Sequence, residues 1–282
     1  MLKKRKAYPT DVSDEEWEVL KAHLPEPSQR GAPRTVNLRE IMNALKYLGR
    51  SGCQWRMLPH DLPPWQTVYD YFSRWRDDGT WERINRELRI EVRELDGRNG
   101  EPSAAILDSQ SVKTTEMGGE RGFDAGKKVK GRKRHLLVDT QGLVLAVMVM
   151  TAAIQDRDGA KLLLSKIKDL LPRLRLIWAD GGYTGALIKW AQSVGGWVLK
   201  IVKRTDKAKG FVLLARRWVV ERTFGWLNRS RRLSKDYERL TVSSEAFIYL
   251  SMIFLMSKRA AQFRIRYVEI VPYRVASGDR IQ

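Results

Sequence analysis

Leu174-Arg175-Leu176-Ile177-Trp178-Ala179-Asp180-Gly181-Gly182-Tyr183 is an apolar run that delivers one carboxylate into a turn with two adjacent glycines. Such a run, bounded by a turn signal, reads as a buried strand, and the glycines let a bulky ligand approach the backbone closely. The same figure stands earlier. Ala104-Ala105-Ile106-Leu107 is a short apolar strand ending at Asp108, followed by the small polar Ser109-Gln110-Ser111. In open α/β sheets, functional groups collect at the carboxyl ends of strands. Taken singly, each aspartate has an ordinary alternative as an Asx-turn or helix-capping residue.

Working outward, Lys133–Val138 and Leu143–Met150 are apolar runs separated by Asp139-Thr140-Gln141-Gly142, a hairpin signal. Asp158–Leu171 reads as a helix with Leu162, Leu163 and Ile167 facing a core, and Thr184–Val194 as another. Trp197–Val202 is a further strand, and Arg216–Arg232 a last helix. The predicted architecture is α/β, a mixed sheet of about five strands with helices packed on its faces.

Before residue 98 the pattern is helical: a segment after Ser13, Leu38–Arg50 ending at Gly52, Trp65–Trp75 and Trp81–Val92. Two readings stand for this small all-α part, a helix-turn-helix module or a helical subdomain packed on the rest. The polar stretch Asp96–Pro102 marks the boundary. The expected division is a helical part at 1–98, a catalytic part at 99–262 and a tail at 263–282. There is no internal repeat.

The 282 residues carry a formal net charge of +19, which points to a polyanionic partner. Residues 1–100 hold 18 cations against 16 acids, so nearly all of the excess lies beyond residue 100, with the three acids of interest. The single cysteine, Cys53, excludes an intrachain disulfide and a cysteine-based zinc site. Met1-Leu2-Lys3-Lys4-Arg5-Lys6 is basic without a following apolar stretch, unlike a signal peptide. No run is long and apolar enough to span a bilayer, so a cytoplasmic protein is expected.

The third acid is Glu221, on the amphipathic helix within Arg217–Tyr237 and surrounded by arginines. At 3.6 residues per turn, Arg217, Gly225, Asn228 and Arg232 fall within about half a right angle of it, while Val220, Phe224 and Leu227 form the docking stripe. Alone, Glu221 is an i,i+4 partner for Arg217. With Asp108 and Asp180 it makes three oxygen ligands, the donor type that Mg²⁺ takes, and such a set can hold two ions across a phosphodiester. The run Lys127-Lys128-Val129-Lys130-Gly131-Arg132-Lys133-Arg134, with Arg217, Arg222, Asn228, Arg229 and Arg232, supplies the candidate DNA contacts. Trp226 stacks on a base or packs; His135 reads as a strand residue without a catalytic role.

With these residues assembled, the chain resembles the bacterial insertion-sequence transposases of the DDE type, insertion sequence family five. The resemblance covers nearly the whole length. It is carried by Tyr-Pro-Thr-Asp at 8–11, Cys-Gln-Trp-Arg-Met-Leu-Pro from Cys53, Asp-Ser-Gln-Ser-Val-Lys-Thr from Asp108, Gly-Arg-Lys-Arg-His from Gly131, Trp-Ala-Asp-Gly-Gly-Tyr from Trp178 and Val-Glu-Arg-Thr-Phe-Gly-Trp-Leu from Val220. It implies an RNase H-like catalytic domain with Asp108, Asp180 and Glu221 as catalytic and metal-binding residues, two Mg²⁺ or Mn²⁺ ions, DNA as substrate, and action on the inverted-repeat ends of a mobile element. It also implies work at the nucleoid, and the joining of two ends implies a homodimer on DNA. Of the Tyr–Arg–Glu–Lys signature of related transposases, Arg217 and Glu221 fit, whereas Leu214 replaces the tyrosine and Asn228 stands at the lysine position. The interval from Asp180 to Glu221 leaves no room for the large β-strand insertion of some relatives. The alternatives are a stand-alone nuclease of the same fold, or a relative that binds DNA without catalysis.

Overall fold

The computed structural model describes residues 5–27, 35–116, 119–202 and 217–276, with side chains as far as residue 266. Helix α1 (Asp14–Lys21) starts where the Ser13 hydroxyl accepts the Glu16 N–H, and α2 (Leu38–Ser51) runs from an Asn37 cap to Gly52, whose φ of 72° closes it. Then come α3 (Trp65–Asp77) and α4 (Thr80–Leu95), separated only by Asp78 and Gly79. Beyond residue 100 the order is β1 (Ala104–Lys113), β2 (Gly122–Asp124), β3 (Val129–Asp139), β4 (Val144–Thr151), α5 (Asp156–Lys166), β5 (Leu176–Ala179), α6 (Ala186–Gly195), β6 (Val198–Ile201), α7 (Arg217–Asn228) and α8 (Thr241–Ala276).

The main sheet runs β4-β3-β1-β5-β6, and the short β2 pairs with the first residues of β3. β1, β5 and β6 are parallel, while β3 is antiparallel to both β1 and β4. This is the RNase H-like arrangement, with β2 added to the five expected strands. Alternation along β1 explains the layers. Ile106 faces one core with Leu136, Val138, Trp178 and residues of α4, α7 and α8. Ala105 and Leu107 face the other, with Ile177 and Ala179 and the buried sides of α5 and α6.

Three sequence expectations change. β1 does not end at Leu107; it continues to Lys113, because Ser109–Lys113 pair with Gly131–His135 of β3. Asp108 is therefore mid-strand on its β3 side, but it lies beyond the β1–β5 ladder, which stops at Ile106↔Trp178. The second change concerns the helical part. Residues 52–64, with a single 3-10 turn at Trp55–Met57, separate α2 from α3, far more than the turn of a helix-turn-helix. The tight α3–α4 corner does not present its second helix either: Asn85 donates to the Val144 carbonyl, Arg89 to the Gly100 carbonyl, and Arg93 to Asn99 and the Asp139 carboxylate. The helices before residue 98 share one core with α8 and the sheet, which favours the packed-subdomain reading.

The third change is α8 itself. It runs unbroken through residue 263, where a tail was expected, and buries Phe247, Ile248, Leu250, Ile253 and Met256 between the N-terminal helices and the sheet. Its Glu245 carboxylate and Tyr249 hydroxyl accept the Val149 and Val147 N–H groups of β4, at 2.8 and 3.3 Å. Among the described residues no helix is long and apolar enough to cross a membrane. Leu214 lies outside the described residues, as does part of the interval between Asp180 and Glu221.

Candidate active site

Because Ile106 and Trp178 are paired in parallel strands, the residues two beyond each, Asp108 and Asp180, stand at the same end of the β1–β5 ladder, Asp180 just past its strand and Asp108 still paired with Leu136 of β3. Asp108 Oδ1 accepts the Ser109 N–H at 2.7 Å. Burial pushes its carboxyl up to about 6; the Asp180 charge adds to that, while the Ser109 N–H, Arg217 and Lys127 oppose it. Asp180 caps the 3-10 turn Gly181–Tyr183, its Oδ1 accepting the Gly182 N–H at 2.8 Å.

Glu221 arrives on α7, which docks through Val219, Val220, Thr223, Phe224 and Leu227. The Thr223 hydroxyl donates to the Gly142 carbonyl at 2.8 Å, tying α7 to the β3–β4 hairpin. A Cβ on Gly142 would stand 2.7 Å from that hydroxyl, and its φ of 82° also requires glycine. Glu221 is 53% exposed and reaches the aspartates through one guanidinium: Arg217 Nη2 stands 3.7 Å from Glu221 Oε1 and 3.6 Å from Asp180 Oδ2. As it stands, no group of three or more ligand-type side chains among the described residues is close enough to hold a metal.

The donor set nonetheless fits a hard divalent ion. It offers only oxygens, one or two carboxylates per ion suffice for Mg²⁺, and the Asp108–Asp180 repulsion is the cost a dication removes. Arg217, bridging Asp180 and Glu221, is the positive charge this site already carries.

Beside the pair lies a second charged cluster that sequence reasoning missed. Asp156, at the start of α5, accepts from the Ser109 hydroxyl and from Lys133 Nζ, each at 2.9 Å on Oδ1. Lys133 also stands 3.1 Å from Asp124 and donates to the Ile154 carbonyl. Burial works against the ionised form of both acids, but Lys133 and their other partners hold the Asp124 and Asp156 carboxyls below the usual range. Lys127 Nζ donates to the Ser109 carbonyl and hydroxyl. The one signal in the sequence was an acid opening a helix just after a strand, a pattern that helix capping already explains.

The predicted DNA contacts divide. Lys127 and Lys128 are exposed on the β2–β3 turn, Lys130 is exposed on β3 opposite Phe123, and Asn228 and Arg229 are exposed at the end of α7. Arg222 is half-buried between the Trp218 and Trp226 rings, at 4.4 and 4.6 Å, and donates to the Gln141 carbonyl. Arg217 belongs to the carboxylate cluster. The other four are buried, contrary to expectation. Arg132 is bound by Asp236 and the Glu120, Glu238 and Arg239 carbonyls, and Arg134 by the Leu233 and Lys235 carbonyls. Lys133 is held by the two aspartates above. Arg232 is bound to Glu238 and the Cys53 carbonyl over the Phe247 ring. The reason is local: the run from Val129 on is strand β3, not a loop, and its two faces are covered by the segment after α7 on one side and by Asp124, Asp156 and Ile154 on the other. Arg232 leaves the Glu221 face because α7 stops at Asn228. His135 is buried with no partner on either ring nitrogen among the described residues, and burial pushes its imidazole down to about 4.

Residues 99–256 match the family described as "Transposase DDE domain", more than half of the chain, and residues 12–85 match "Putative transposase of IS4/5 family". The chain belongs to the DDE transposases of the IS4/5 type. Among its relatives is the "Putative transposase for insertion sequence element IS402" of Burkholderia cepacia, 34% identical over 128 residues, which are 43% of this chain and 60% of that protein. Another is the "Uncharacterized protein y4sN" of Sinorhizobium fredii (strain NBRC 101917 / NGR234), 32% identical over 86 residues, 30% of this chain and 66% of that protein. The matches thus span about three fifths to two thirds of these relatives' lengths. DDE transposases use divalent metal ions, the type that the oxygen-only pair suits.

Proposed function

We propose that this transposase binds the terminal inverted repeats of its own insertion sequence, hydrolyses the strand ends and joins the freed 3′-hydroxyls to target DNA. The observation that supports this best is the Asp108–Asp180 pair at the end of the β1–β5 ladder, with Arg217 linking it to Glu221. Asp108 and Asp180 hold Mg²⁺ or Mn²⁺ in this reading, and Glu221 completes the set for a second ion. Divalent ions at such sites activate the attacking water or hydroxyl and stabilise the leaving oxygen of an in-line displacement. The chain's own part is positioning. The strands fix the two aspartates, the Thr223–Gly142 bond fixes the helix of Glu221, and Lys127, Lys128, Lys130, Asn228 and Arg229 meet phosphates around the acids. Cleavage and joining share one site, because only the nucleophile changes. Two ends must be held at once, so the active form on DNA is a homodimer working at the bacterial nucleoid.

The test is incubation of the purified protein with labelled element-end DNA and a target plasmid, in Mg²⁺ or EDTA, beside Asp180→Ala. Metal-dependent joining that the variant loses, with end binding retained, is the expected result. Cleavage without joining replaces the reading with a nuclease. Binding without cleavage in Mg²⁺ or Mn²⁺ replaces it with a DNA-binding relative.

A further inference from the structure

Two cavities, of about 420 and 410 Å³, lie along α8, one beside α2 and the other beside the β3–β4 hairpin, and Arg259 and Gln262 line both. The two adjoin and make one groove. Its charge is one-sided. The acids that line it are already neutralised, Asp11 by Arg5, Glu16 by Lys46 and Asp96 by Arg98. Arg50, Arg222, Arg229, Lys258, Arg259 and Arg266 line it too, and none of them has an acidic partner among the described residues. Two of these cations are held in place. Arg222 and Arg259 stand over the same Trp226 ring, at 4.6 and 4.5 Å, and Arg222 also over Trp218, at 4.4 Å. Arg222 Nε is buried without a hydrogen-bond partner among the described residues. Arg222 follows Glu221 directly, which puts it about 100° around α7 from that acid. The groove and the carboxylates therefore occupy different faces of one helix.

We propose that this groove is a second DNA-holding site: it takes one phosphodiester strand of a duplex outside the stretch that meets the carboxylates, with Arg222 and Arg259 on phosphates and Lys258 and Arg266 along the same backbone. The proposal rests on the reading that this protein acts on element-end DNA. A stacked guanidinium keeps its planar fork free for phosphate oxygens, and that geometry suits arginine better than lysine. Burial lowers both guanidiniums, and the Arg222 charge adds to the effect on Arg259, against the pull of Asp139 on each. Two like charges sharing one ring are a cost that a bound anion removes. The occupant is DNA and not a second copy of this chain, because that copy would itself bring a formal charge of +19 to a cationic groove. Phosphate contacts fix the register of a duplex without reading its sequence, so the groove adds grip and not recognition.

The test uses the full chain and the double variant Lys258→Gln with Arg266→Gln, two exposed positions, beside Arg259→Gln. Binding of element-end DNA and of an unrelated duplex of equal length is titrated across salt concentration. Self-association without DNA is followed by sedimentation, and folding by the melting temperature. The double variant is expected to melt like the wild-type protein and to lower the logarithmic salt slope by about 0.9 for each phosphate it releases, equally on both duplexes. Arg259→Gln is expected to shift the slope in the same direction. A wild-type salt slope and affinity in the double variant overturn this inference and leave the proposed function standing. A shift confined to element-end DNA assigns the groove to base reading, and weaker self-association with an unchanged slope assigns it to a second copy; either overturns the proposal. Failure of the wild-type protein to bind DNA overturns both readings.

Discussion

Lys127–Lys130 and Arg132–Arg134 are two halves of one basic run, and they have opposite fates. The first half spans the β2–β3 turn and the first two residues of β3, with its ammonium groups in solvent or on Ser109. The second lies inside the molecule, with Arg132 and Arg134 fully buried. Side chains on one strand alternate between faces. Arg132 and Arg134 therefore go to the segment after α7, and Lys133 to Asp124 and Asp156 beside the candidate site. Like residues next to one another in sequence thus stay free for an outside partner on one side of Gly131 and brace the interior on the other.

The buried half can be broken most severely. Arg132→Ala leaves Asp236 without its buried cation and several carbonyls without a donor. A loss of about 3–5 kcal/mol is expected, read by denaturant unfolding; a loss below ~1 kcal/mol would remove the bracing role. A smaller test concerns the half-buried Glu245, whose carboxyl is pushed up to about 7 by its removal from water. Its folded value lies above its unfolded one, so the neutral form stabilises the protein. That contribution is full below the unfolded value and is lost as pH rises through about 7. Between acid and neutral pH, Glu245→Gln is expected to gain stability relative to the wild-type protein by on the order of 2 kcal/mol. An identical pH dependence of unfolding in the variant would locate the effect elsewhere.

The exposed half gives the smallest effects on folding and a distinct one on binding. Lys128→Ala with Lys130→Ala is expected to leave the melting temperature unchanged. The same pair should lower the salt dependence of DNA binding by about 0.9 in logarithmic slope for each phosphate that is no longer neutralised. A salt slope equal to that of the wild-type protein would remove these lysines from the interface.

The comparison also shows where the sequence was readable. Leu174–Asp180 and the Asp139–Gly142 hairpin carry their outcome in local pattern and turn chemistry, so they could be read directly. The docking stripe Val220, Phe224, Leu227 follows from helical period alone. The extent of β1 could not be read this way, because Ser109–Lys113 are polar and become a strand only by pairing with β3. The fate of Arg132 and Arg134 depends on the chain around Leu233–Arg239 folding back over that strand, about a hundred residues later. Asp156 was hidden by a sufficient local reason for its presence, and α8 by an apolar content that is nearly uniform around the helix and so shows no period.

The two bonds from α8 to β4 have a consequence for how copies of this protein meet. An outer strand with free N–H groups is a template for another strand, whether from a second copy or from a misfolded chain. Tyr249 and Glu245 occupy the Val147 and Val149 positions of that template. Sheet extension across β4 is therefore hindered for an incoming strand, and a contact between copies at this edge would have to be made by side chains rather than by backbone pairing.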